Sequence, residues 1–244
     1  MVQTLLISGT DTDIGKTVVT SALLAYWQAY RRHERVAVCK PLQSGSGDRE
    51  LYSTLFSLEQ APHLLNPLYY SLPLAPPLAA IQSGQEIDLG KAWQTVQTLQ
   101  SEFDWVFIEA LGSLGSPITH ELIVADLARD WHLPLLLVVP VRLGCIGQAV
   151  AQVALARQYH LTLKGIILNC LEPLSDAEID QWAAPELLQS LTQVPILGTI
   201  PYLTTAQDLQ CLAAAAAELD LEALGSLGYA NQTTAPPNSP AASH

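Results

Sequence analysis

The chain has 244 residues, 49% of them hydrophobic, and a formal net charge of −12. That length suits one sizeable α/β domain, or two small ones, around a buried core. The acidic balance argues against nucleic acid or an anionic membrane as partner, because both require basic surface.

The opening "MVQTLLISG" has neither a basic region nor a long apolar segment, so no signal peptide is expected. Residues 4–8 form an apolar run read as a strand, and residues 17–31 carry a helical pattern. Between them stands "SGTDTDIGKTVVT". A loop that holds phosphate needs small residues, so that backbone N–H groups can turn inward. It also needs a helix start behind it, a lysine for the outer phosphates and a hydroxyl for Mg²⁺. Gly15, Lys16 and Thr17 supply these parts; five residues separate Gly9 from Gly15, where the usual motif has four.

The run 36–40, "VAVCK", reads as a second strand, followed by "PLQSGSGD" and a helix over 48–58. Lys40, Ser44 and Asp48 would bring a cation, a hydroxyl and a carboxylate to the phosphates, although Lys40 alone is equally consistent with a solvated strand end. The proline-rich stretch 60–84 is expected to be an excursion at one edge, and 88–101 a helix. The strand 104–109, "DWVFIE", ends in Glu109, where an acid can hold Mg²⁺ or its water; an ordinary loop carboxylate is the competing reading. A helix is expected over 119–131, where Asp126 and Asp130 fit a solvated face.

The strand 134–141 lies in the longest apolar run, about half the length of a membrane span. It leads into "RLGCIGQAV" and a helix over 147–159, whose start offers N–H groups to a carboxylate or is simply a helix N-terminus. The strand 164–169 ends in Asn169, whose amide can pair with a nucleobase edge or act as a cap. After a helix over 177–192, the strand 196–200 runs into "PYL", and a last helix spans 206–222. The tail from 225 has linker composition. Cys39, Cys145, Cys170 and Cys211 show no Cys-x-x-Cys pair, as in a reducing cytoplasm, and the six histidines show no metal-ligand spacing.

The strands are continuously apolar rather than alternating, which fits a parallel sheet covered on both faces. The expected fold is therefore α/β, a single doubly wound, mainly parallel sheet over residues 1–224. Ligands in such folds collect beyond the carboxyl ends of the strands. There the sequence gathers two lysines, two carboxylates, hydroxyls and two N–H nests, a phosphoryl-transfer site with space for a second, anionic substrate.

"GTDTDIGKT", "KPLQSG", Glu109, "LGCI", Asn169 and "PYL" occur in order across about residues 4–203, and with them the chain resembles the dethiobiotin synthetases, ATP-dependent enzymes of the P-loop class. The resemblance implies ring closure of 7,8-diaminopelargonate with CO₂ and ATP to dethiobiotin, ADP and phosphate, through a carbamate and a mixed anhydride. It implies Lys16, Lys40 and Thr12 as catalytic groups and Ser44 as a substrate contact. Nucleotide contacts would come from Asp13, Ile14, Gly15, Lys16, Thr17 and Val18, from Glu109, Ala110, Leu111 and Gly112, and from Asn169, Cys170, Pro201, Tyr202 and Leu203. Thr17, Asp48 and Glu109 would hold Mg²⁺. Gly144, Cys145, Ile146 and Gly147 would take the substrate carboxylate from the neighbouring subunit of a cytoplasmic homodimer.

Two departures stand out. The family often has "EGAGG" where this chain has "EALGS", so Ala110 and Ser113 replace glycines, with Gly112 and Gly115 nearby to restore the turn. Gly147 replaces a side-chain amide. The rival readings are a related P-loop ATPase and a non-catalytic nucleotide-binding module.

Overall fold

Strand β1, Gln3–Gly9, opens the computed structural model, which describes residues 2–225. It feeds through the phosphate-type loop into α1, Lys16–Tyr30, and then β2, Val36–Cys39. Next come β3, Leu42–Ser44, α2, Asp48–Leu55, β4, Leu68–Tyr70, and α3, Pro76–Ser83. Helix α4, Leu89–Glu102, precedes β5, Trp105–Ser113, and α5, Val124–Asp130, precedes β6, Leu135–Pro140. The chain continues through α6, Cys145–Gln158, β7, Leu163–Asn169, α7, Asp176–Trp182, and α8, Pro185–Thr192. It closes with β8, Ile196–Ile200, α9, Leu209–Ala217, and α10, Glu222–Gly225.

Six strands pair in the order β2-β5-β1-β6-β7-β8, all parallel. Side-chain alternation sends Leu5 and Ile7 of β1 into a core with α1 and α9, and Leu6 into the core beneath α4 and α5. A third core packs Leu137 and Val139 against α6 and α8. Both faces are thus dry, which explains the unbroken apolar runs. Strand β1 lies between β5 and β6, with β2 and β5 on one side and β6, β7 and β8 on the other, so the winding reverses at β1. The crevice at such a switch point opens above its carboxyl end.

Local chemistry moved several element boundaries. The helix expected over 119–131 begins only at Val124, because the Thr119 hydroxyl accepts from the N–H groups of Glu121 and Leu122 and holds a turn there. The single helix expected over 177–192 is two, broken where Ala184 takes a left-handed φ of 38° ahead of Pro185. Asp208 caps α9 by accepting from Gln210 and Cys211 N–H, and the helical stretch of 206–222 ends at Ala217. The excursion over 60–84 contains its own order: β4 pairs in parallel with β3, and α3 follows. The expected tail over 225–244 lies beyond Gly225, outside the described residues. Among the described residues no helix is long and apolar enough to cross a membrane.

Candidate active site

Gly15 is the pivot of the first loop. It caps α1 with a φ of 83°, a conformation that costs L-residues free energy. A Cβ there would fall 2.1 Å from Asn169 Nδ2. That amide donates to Ile14 O at 2.9 Å and so fastens the loop to the end of β7. Asn169 Oδ1 is buried, and among the described residues it has no partner. Lys16 folds back to donate to Asp11 O at 2.7 Å, and burial lowers its pKa from 10.5 to about 8.

Facing this loop is a tight ionic cluster. Lys40, at the end of β2, pairs with Asp48 and donates to Glu109 Oε1 at 2.7 Å. The Thr17 hydroxyl lies 2.8 Å from Asp48 Oδ1 and 3.1 Å from Glu109 Oε1, and its one proton serves one of them at a time. Burial alone would lower the Lys40 pKa, but the Glu109 and Asp48 carboxylates outweigh it and hold the ammonium above its ordinary value. Burial likewise works to raise Asp48, and Lys40 with the Thr17 hydroxyl holds it below its usual range. Both charges are therefore fixed across neutral pH.

A cleft of about 580 Å³ separates the two walls. Its lining brings together Thr12, Asp13, Ile14, Gly15, Lys16, Thr17, Lys40, Ser44, Asp48, Glu109, Leu111 and Gly112, all named from the sequence. Among the described residues the Ser44 hydroxyl has no partner. Other named residues lie elsewhere. Ala110 belongs to the core, and Val18 packs against the core beneath α1. Asn169 sits behind the loop, Cys170 packs in the third core, Pro201 and Tyr202 are exposed, and Leu203 packs against the α1 core. Gly144, Cys145, Ile146 and Gly147 begin α6 outside the lining. Gly144 has a φ of 90°, and the Cys145 thiol is buried at 3.4 Å from Trp182 O. Arg142, ahead of them, lies 3.5 Å from Asp11 Oδ2.

Among the side chains the sequence reading missed at the site, Tyr52, Gln43 and Glu50 support its acids and loop. Tyr52 donates its hydroxyl to Glu109 Oε2. Gln43 is buried and donates to Gly45 O at 2.9 Å, while its Oε1 accepts from Arg49 N–H at 3.0 Å. Glu50 accepts from Gly47 N–H at 2.9 Å, which lowers its pKa to about 2. Together Gln43 and Glu50 hold the segment between Ser44 and Asp48. The available signal was spacing: Tyr52 stands four residues after Asp48 on the same helix, hence on its face.

The altered loop after β5 is less strained than its lost glycines suggested. Among the described residues Ala110 and Ser113 do not take positive φ, nor does Gly115; only Gly112 does, at 53°. A Cβ on Gly112 would lie 2.1 Å from Ser116 Oγ, which accepts from Ser113 N–H at 2.8 Å and closes the turn. Gly112→Ala is therefore expected to cost roughly 1–2 kcal/mol. Thermal melts should fall by about 2–8 °C, and an unchanged Tm would show that the turn adapts freely.

Oxygen donors suited to a hard cation meet at this site: Thr17 Oγ1, Asp48 and Glu109. Among the described residues no group of three or more His, Cys, Asp or Glu could hold a metal. Mg²⁺ is commonly held by one or two carboxylates together with substrate phosphates and water, so the donor set fits.

A family model described as an AAA domain matches residues 3–209. The chain is 51% identical to the ATP-dependent dethiobiotin synthetase BioD of Synechocystis sp. over 224 residues, 91% of this chain and 94% of that protein. It is 53% identical to the protein of the same description from Crocosphaera subtropica, over 91% of this chain and 99% of that one. Among solved structures, the MinD cell division protein of Aquifex aeolicus superposes with a TM-score of 0.56 at 15% identity, covering 95% of this chain and all 100% of that one. At that identity the likeness speaks to the fold.

Proposed function

The chain belongs to the ATP-dependent dethiobiotin synthetase family, and from that premise we propose how its own residues divide the work. It is an ATP-dependent ligase of biotin biosynthesis. The substrates in this reading are 7,8-diaminopelargonate, CO₂ and ATP, and residues 1–224 are one catalytic unit. One amine of the diamine loses a proton as it captures CO₂ as a carbamate, a carbamate oxygen displaces ADP from the γ-phosphate to give the mixed anhydride, and the second amine loses a proton and expels phosphate as it closes the cyclic urea.

A carbamate and a triphosphate repel each other, and the oxygen is a weak nucleophile. Charge must therefore be neutralised as the new bond forms. The observation that carries the reading is a pair of buried ammonium groups flanking one cleft, Lys16 at 6% exposure and Lys40 at 5%. In a site poor in water each is worth more than at the surface. Lys16 turns from Asp11 O to the outer phosphates, and Lys40 meets the transferring group. Thr12 donates to the carbamate. The unpartnered Ser44 hydroxyl positions the diamine, and holding two reactants in register is the larger part of the rate.

Mg²⁺ would be held by Thr17, Asp48 and Glu109, and would supply positive charge against the triphosphate. The backbone of residues 13–18 cradles the phosphates. Asn169 Oδ1, buried and free to accept, meets the base edge, with residues 201–203 framing it. The N–H nest at residues 144–147 takes the distant carboxylate of the diamine across a homodimer, and the enzyme works in the cytoplasm. Ala110 contributes backbone alone, since its side chain is in the core.

The deciding measurement is phosphate release. It should require 7,8-diaminopelargonate and bicarbonate together, with ATP present. Release that ignores either one would sink the synthetase reading in favour of a simple ATPase.

A further inference from the structure

Glu109 is 1% exposed, and its two oxygens face different ways. Oε1 is turned to the cleft, accepts from Lys40 Nζ and lies 3.1 Å from Thr17 Oγ1, whose proton it shares with Asp48. Oε2 points away and accepts from the Tyr52 hydroxyl. The first two donors line the cleft and are the groups a bound ligand would draw off. Tyr52 does not line it: it is fully buried, one turn along α2 from Asp48, with its ring packed in the α1 core beside Phe56. Tyr52 therefore holds Glu109 from the side away from the cleft.

We propose that Tyr52 is a positioning residue, anchoring Glu109 Oε2 so that Oε1 alone is presented to a divalent cation. This rests on the reading of Thr17, Asp48 and Glu109 as the metal-holding set. A carboxylate on a short side chain can rotate to offer either oxygen or both. A fixed donor behind it removes that freedom before the ion arrives, as partners behind metal ligands generally do. The same helix also carries Asp48, so α2 would set the direction of both acids together.

Tyr52→Phe removes the hydroxyl and keeps the ring in the core. Mn²⁺ serves as the probe, with binding to the full chain in the presence of ADP read by electron paramagnetic resonance. The Kd for Mn²⁺ should rise about tenfold, the scale seen when such supporting groups are lost. Metal-free ADP should bind as before, and raised Mg²⁺ should recover part of the turnover. An unchanged Mn²⁺ Kd overturns the proposal. So does an equal loss of metal-free ADP binding, which would mark Tyr52 as a core residue only.

Glu109→Gln supplies a second arm. Adding Tyr52→Phe to it should leave the Mn²⁺ Kd where Glu109→Gln alone puts it, and further weakening overturns the proposal. Because the amide leaves no buried charge to orphan, this pair also covers failure of the single variant to fold. Absence of Mn²⁺ binding in the wild type would overturn the metal reading itself, a result distinct from equal affinities in wild type and variant.

Discussion

Replacing Lys40 by methionine should lower dethiobiotin formation by at least about two orders of magnitude while MgATP still binds. That is the scale expected when one preorganised charge contact to a transition state is lost. The structure adds a second consequence. Lys40 is the cation that neutralises Glu109 and Asp48, and Glu109 is 1% exposed. Methionine fills the volume but leaves two carboxylates facing each other, and breaking a buried pair costs roughly 3–5 kcal/mol. The variant should therefore melt well below wild type in chelator and recover when Mg²⁺ is added, since an ion that binds only the folded state stabilises it by mass action. Turnover within tenfold of wild type would remove Lys40 from the chemistry. Loss of MgATP binding along with turnover would make it part of the nucleotide site instead.

This dual character explains why the first loop and the strand ends were legible in the sequence while their mutual geometry was not. Unbroken apolar runs announce a parallel sheet because both faces of each strand must be dry, and six strands do pair in parallel. Gly15, Lys16 and Thr17 were legible because few other residues satisfy a left-handed turn, a phosphate and a helix start at once. Asp48 stood only four residues beyond Ser44, and nothing in its own chemistry tied it to Glu109. What ties them is Lys40, which pairs with both acids.

Tyr52 was passed over, despite its spacing from Asp48, for a related reason: a tyrosine on an amphipathic helix reads as core, and its ring is core. Only its hydroxyl takes part in the site. The breaks at Ala184 and at residues 119–123 were missed because periodicity weighs side chains. A proline without an N–H and a threonine hydroxyl that competes for backbone donors act on the main chain instead.

Lys16→Met should separate from Lys40→Met in which constant it moves. Lys16 sits inside the phosphate cradle, so its loss should weaken ATP binding by at least about tenfold and lower turnover by about two orders of magnitude or more. Wild-type ATP affinity should itself decline as the pH rises past about 8, where burial has placed the Lys16 pKa and where the free ammonium begins to lose its proton. The variant should lose that pH dependence.

Stability should move the other way. The unfolded chain holds this proton up to its ordinary 10.5, so below about 8 the fold keeps a charge that its dry surroundings disfavour. Between about 8 and 10.5 the unfolded state binds more protons, and across that range the contribution of this group to stability rises with pH. An apolar side chain of similar length removes the penalty, on the order of 1–3 kcal/mol after allowing for the lost bond to Asp11 O. At pH 7 the inactive variant should then melt above wild type. A lower Tm would mean that the hydrogen bond to Asp11 outweighs the burial of the charge, and that the cradle is held open by its lysine rather than strained by it.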